Sequence, residues 1–143
     1  MRAVRRFSFL LSISLLSACA SDTILDFEIG DVGGLWVASS YEYVSNVSSA
    51  RIDIIERDGA TFTLSVDDSV QPPTVGSTLD DGAGGITNRS GTVDIRDGII
   101  TLGDDSFRVV HDKDFMTLTN EASQFDFGSG SVTATVVIAL DRI

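Results

Sequence analysis

From Leu35 onward, short runs in which every second residue is apolar recur along the chain, each closed by an acidic or glycine-bearing turn. Arg51-Ile52-Asp53-Ile54, Thr61-Phe62-Thr63-Leu64-Ser65-Val66, Thr92-Val93-Asp94-Ile95 and Thr133-Ala134-Thr135-Val136 all follow this rule. A period of two places successive side chains on opposite faces of an extended strand, and threonine and valine suit that surface. No window of a dozen residues carries a capped 3.6-residue repeat. Asp58-Gly59 and Asp97-Gly98 read as two-residue hairpin turns whose glycine accepts a positive φ. Gly103-Asp104-Asp105 and His111-Asp112-Lys113-Asp114 read as further tight turns.

The strands predicted are Leu35–Val44, Ala50–Glu56, Thr61–Val66, Thr87–Ile95, Ile99–Leu102, Phe107–Val110, Phe115–Thr119, Gln124–Phe127 and Val132–Asp141. Regular spacing makes this an all-β antiparallel up-and-down meander. Eight or nine strands with one apolar face remove their open edges by closing into a barrel. Asp67 to Ile86 interrupts the rhythm with Pro72, Pro73 and Asp80-Asp81-Gly82-Ala83-Gly84-Gly85. It predicts a long loop, of the kind that is either functional or disordered.

The amino-terminus imposes a different constraint. Arg2, Arg5 and Arg6 precede an apolar run from Phe7 to Leu16. That run is too short to span about 30 Å of hydrocarbon as a helix and has the length of a secretory signal. Arg5-Arg6 lacks the rest of a twin-arginine motif, which favours the general secretory route. Leu16-Ser17-Ala18-Cys19 resembles the lipobox of bacterial lipoproteins. The resemblance implies a signal peptide over residues 1–18, with Cys19 lipidated by diacylglyceryl and palmitate-like chains. Two or more acyl chains hold a protein stably on a bilayer, where one does not. Ala20 and Ser21, with no aspartate at the second position, imply the outer membrane, with the domain facing the periplasm. Residues 19–32 then form a short tether, which reaches at most about 45 Å when extended. Ile24, Leu25, Phe27 and Ile29 are apolar enough to dock part of it on the domain.

Cys19 is the single cysteine, so the exported domain has no disulfide and depends on a packed core. The formal charge of the chain is −11, and without Arg2, Arg5 and Arg6 it becomes 7 − 21 = −14. Such a charge argues against nucleic acid and against electrostatic binding to anionic lipid surfaces. The acids sit mainly at turns, where they confer solubility; a cationic partner is the alternative use.

Gly34-Leu35-Trp36, at the head of the first strand, resembles the G-x-W motif of lipocalins, and Arg142 stands near the end of the last strand. The similarity runs over residues 33–143 and implies a lipocalin-like barrel closed at one end by Gly34, Trp36 and Arg142. In that family the arginine lies across the indole, a cation–π contact of about 0.5 to 2 kcal/mol. If the barrel holds a ligand, it should be small and largely apolar, entering at the end opposite Trp36 and Arg142, with the loop from Asp67 to Gly85 as its lid. This chain is shorter than a typical lipocalin and lacks the carboxy-terminal helix and the disulfide. Phe62, Phe107, Phe115, Phe125 and Phe127 therefore either line a cavity or fill the barrel outright, and Tyr41 and Tyr43 share one face of the first strand. Tyr41, Tyr43, Phe62 and Phe107 are the candidate ligand-lining residues.

Catalytic chemistry finds little footing. His111 is the only histidine, and no serine sits in a G-x-S-x-G context. One histidine and a lipidated cysteine supply no zinc set. Asp67-Asp68, Asp80-Asp81 and Asp104-Asp105 are carboxylate pairs without EF-hand spacing, and no glycine-rich loop opens a helix to cradle phosphate. The expectation is a protein with no catalytic residue, metal or cofactor. Two functions fit: a membrane-anchored lipocalin-like protein binding a small apolar ligand, or an envelope interaction module with a filled barrel. The second class includes structural lipoproteins and inhibitors of exported hydrolases.

Overall fold

The computed structural model describes residues 32–143. The expected signal peptide, Cys19 and all of the tether but Val32 lie outside the described residues. Alternation becomes strands β1 (Gly34–Ser45), β2 (Arg51–Asp53), β3 (Thr61–Asp67), β4 (Thr74–Asp80) and β5 (Ile86–Asp94). They are followed by β6 (Ile99–Leu102), β7 (Asp105–Asp112), β8 (Phe115–Asp126) and β9 (Ser131–Arg142), and a helix, α1 (Ile54–Asp58), follows β2.

All pairings are antiparallel, and the ring runs β1-β3-β4-β5-β6-β7-β8-β9 before closing on β1. It is an eight-stranded barrel with β2 as an extra strand. One edge of β1 follows β9 from Trp36↔Arg142 to Ser45↔Ala134. Its other edge is shared: Gly34 to Val37 pair with β3, and Glu42 to Val44 pair with β2. A barrel this narrow is filled by its own side chains. Trp36, Leu64, Ile100, Met116, Leu118, Ile138 and Leu140 are all buried to 1 % exposure or less.

Two bulges decide which side chains reach that core. The β1–β9 register shifts between Ala38 and Ser40, so inward positions pass from Trp36 to Tyr41. The β8–β9 register shifts between Asn120 and Ser123, moving the inward phase from Met116, Leu118 and Asn120 to the odd-numbered Phe125. An extra residue reverses every later side chain. Phe115–Thr119 and Gln124–Phe127, expected as two strands, are therefore one long strand carrying a bulge.

Further expectations need correction. Ala50–Glu56 is not one strand: the chain leaves the sheet at Asp53, whose carboxylate Oδ1 accepts from the N–H groups of Ile55 (2.9 Å) and Glu56 (3.4 Å) and so caps α1. Asp58-Gly59 is accordingly a helix end and not a hairpin. Gly59 adopts φ 69°, and its N–H reaches the Ile55 carbonyl while that of Ala60 reaches Ile54. Asp67 to Ile86 is not one long loop, because β4 occupies its centre and pairs in unbroken register with β3 and β5. The lid expected from Asp67 to Gly85 is thus a piece of the barrel wall. Finally, His111 lies within β7 opposite Met116, and the turn is confined to Lys113 and Asp114.

Candidate functional site

At one end of the barrel Trp36 is fully buried, and its indole Nε1–H donates to the Val32 carbonyl at 2.9 Å. Val32, assigned to the tether in the sequence reading, is itself fully buried. The Arg142 guanidinium carbon lies 4.5 Å from the indole ring centroid. The paired glycines before Leu35 have separate reasons. Gly34 adopts φ 121°, where a side chain is strained, and a Cβ at Gly33 would run into the Asp68 carboxylate. The buried Trp36 and Val32 plug this end of the interior.

The four candidate ligand residues come together at the other end. Tyr41, Tyr43, Phe62 and Phe107 line one cavity with Leu79 and Leu102. Ser77, Thr87 and Arg89 complete its wall. Its volume is about 60 Å³. That admits a few waters, while pockets for small molecules run from about 300 to 1,000 Å³.

Aromatic rings fill the space that a ligand would need. Tyr41 meets Phe62 edge-on and Tyr43 at a tilt, both at 5.5 Å between centroids. Tyr43 stacks on Phe125 at 4.0 Å, and Phe125 meets Phe127 at 5.0 Å. The row runs from the core to the β8–β9 hairpin. Phe115, by contrast, faces solvent at 62 % exposure. Burial, with neighbouring Tyr43 adding to it, pushes the Tyr41 hydroxyl well above the ordinary phenol range.

Helix α1 reaches across this end. Arg57 stands over the Phe125 ring at 5.8 Å, and a Cβ at Gly82, in the β4–β5 turn, would strike the Asp58 carbonyl. Arg89 forms an ion pair with Asp105, joining β5 to the start of β7. Arg89 and Thr87 belong to this wall without any apolar signal in the sequence, although both share the odd-numbered phase of buried Val93 on β5. Their polar character hid an inward face.

The carboxylate pairs serve the turns. Asp67 accepts from the N–H (2.9 Å) and Oγ (2.6 Å) of Ser69, and Asp81 from the N–H groups of Ala83 and Gly85, both at 2.8 Å. The Ser69 hydroxyl and N–H hold Asp67 below the usual carboxylate range, and the Gly85 and Ala83 N–H groups do so for Asp81. Among the described residues, no three His, Cys, Asp or Glu side chains form a group suited to a metal ion. No family model, curated protein or solved structure matches this chain.

Proposed function

We propose that this chain is a lipid-anchored, lipocalin-like barrel of the bacterial envelope that works without catalysis by binding another protein on its outer surface. The packed interior carries this reading: about 60 Å³ of cavity leaves the outside of the barrel as the surface available for recognition. The acidic composition supports a basic partner, and the Cys19 tether supports a position close to the bilayer. The test is a pull-down from envelope extract with the barrel as bait, at low and high salt. A specific partner retained at low salt and released by about 0.5 M salt supports the reading, since such salt screens surface charge beyond a few ångströms. A bait that retains nothing above a charge-matched control contradicts it.

A second reading rests on Tyr41, Tyr43, Phe62 and Phe107 sharing one cavity. A small apolar ligand occupies it if the aromatic row parts beneath α1. Saturable binding of a medium-chain alcohol distinguishes this from surface recognition.

A further inference from the structure

The barrel wall is not of even height. β6 and β7 are joined by the Gly103-Asp104 turn, and β6 pairs with β5 only from Gly91 to Asp94. β5 continues to Ile86, paired with β4 on its other side throughout. Above the β6–β7 turn, the edge of β5 facing away from β4 has no strand beside it among the described residues. On the far side of the gap, β8 pairs with β7 only as far as Thr119 and continues to Asp126. The result is a notch two strands wide, about 14 Å from β5 to β8 at ordinary strand spacing.

Two hydrogen bonds fix which groups face it. The Val93 N–H donates to the Pro73 carbonyl at 3.0 Å, so odd-numbered residues of β5 direct their backbone groups toward β4. The Gly103 N–H donates to the Ser90 carbonyl at 3.0 Å, so even-numbered residues direct theirs the other way. In an antiparallel ladder this alternation is strict. The N–H and C=O groups of Ile86 and Asn88 therefore point into the notch. The β8 edge is a poorer template, because its bulge between Asn120 and Ser123 breaks the register. The β5 edge is regular, with seven consecutive pairs to β4.

We propose that the free edge of β5 receives an extended basic segment of a partner protein as an added strand. This rests on the reading of the protein as an interaction module. Strand addition draws affinity from main-chain hydrogen bonds and selectivity from alternate side chains. Charge chooses the occupant. Asp80 stands opposite Ile86 in the β4–β5 register, Asp81 follows it, and Asp104 lies in the turn at the base of the notch. None of these three is in an ion pair with a described residue, whereas the two arginines at this end are each paired already, Arg89 with Asp105 and Arg57 with Asp58. Ile86, 64 % exposed, offers the apolar contact for the strand's alternate side chains.

The test is amide hydrogen exchange by NMR, with a synthetic alternating Lys-Val peptide and a Glu-Val counterpart as probes. Without peptide, the Ile86 and Asn88 amides exchange fast, while Thr87 and Arg89 are protected by β4. Saturating Lys-Val peptide is expected to slow Ile86 and Asn88 at least about tenfold, with Glu-Val doing nothing and added salt reversing the effect. Asn88→Pro removes one edge donor at a position where proline is tolerated, and should weaken Lys-Val binding about tenfold. Unchanged exchange at Ile86 and Asn88, or equal binding of both peptides, overturns the proposal, and this wild-type measurement decides even if Asn88→Pro fails to fold. A partner recovered by pull-down that still binds Asn88→Pro overturns the edge and leaves the broader reading standing. A pull-down that recovers nothing overturns that reading alone.

Discussion

Replacing Trp36 by alanine removes the largest fully buried side chain of the described residues and should destabilise the barrel by about 3 to 5 kcal/mol. Most of this is the transfer and cavity cost of losing the indole. Two specific contacts go with it. The Val32 carbonyl loses its 2.9 Å donor, a loss of roughly 1 kcal/mol for an ordinary bond. Arg142 loses the ring 4.5 Å from its guanidinium carbon, a contact of about 0.5 to 2 kcal/mol. With a urea m-value of roughly 1.5 kcal/mol per M, a 4 kcal/mol loss moves the midpoint down by about 2.7 M. The variant has no tryptophan, so far-UV circular dichroism is the appropriate probe. Trp36→Phe should recover most of the loss while leaving Val32 without its donor. Combined with Arg142→Gln, Trp36→Ala should fall short of additivity, since the two groups share one contact. A midpoint shift below about 0.5 M for Trp36→Ala would refute the argument that the indole plugs this end.

Three further outcomes follow from other parts of the molecule. Burial raises the Tyr41 pKa in the fold, so its neutral form stabilises the barrel fully below the unfolded value near 10, and that contribution is lost as pH rises further. An absorbance titration should therefore show Tyr41 ionising only with unfolding, and Tyr41→Phe should lessen the alkaline loss of stability. A Cβ at Gly91 would collide with the Thr101 carbonyl across β5 and β6, so Gly91→Ala should cost about 1 to 3 kcal/mol in urea denaturation. Cys19→Ser should end incorporation of labelled palmitate and move the protein from the membrane to the soluble fraction of a bacterial host; unchanged labelling would contradict the lipobox reading.

The sheet was legible because period two encodes faces directly. Ile99–Leu102 matches β6 at both ends, and Thr61–Val66 matches β3 to within one residue. The misreadings have local physical causes. Arg51-Ile52-Asp53-Ile54 alternates, but four residues are too few to outweigh a cap: Asp53 followed three residues later by Glu56, with Gly59 beyond, is a helix signal in its own right. In β4 the inward row is Val75, Ser77 and Leu79, and the buried serine breaks the apolar pattern just after Pro72-Pro73. In β8 the bulge reverses the phase, so one strand reads as two. The aromatic candidates were visible as a shared period on β1 and as scattered phenylalanines. That they pack together with little space between them depends on strand stagger, which short-range alternation does not encode.

A filled barrel that recognises its partner from outside, as proposed, has no room for a small apolar ligand. Titration with decanol, followed by amide and methyl NMR, tests this most directly. No saturable change is expected at Tyr41, Tyr43, Phe62, Phe107 or the core residues Leu64, Leu118 and Ile138. One-to-one saturation, with shifts concentrated at Tyr41, Tyr43, Phe62 and Phe107, would contradict it.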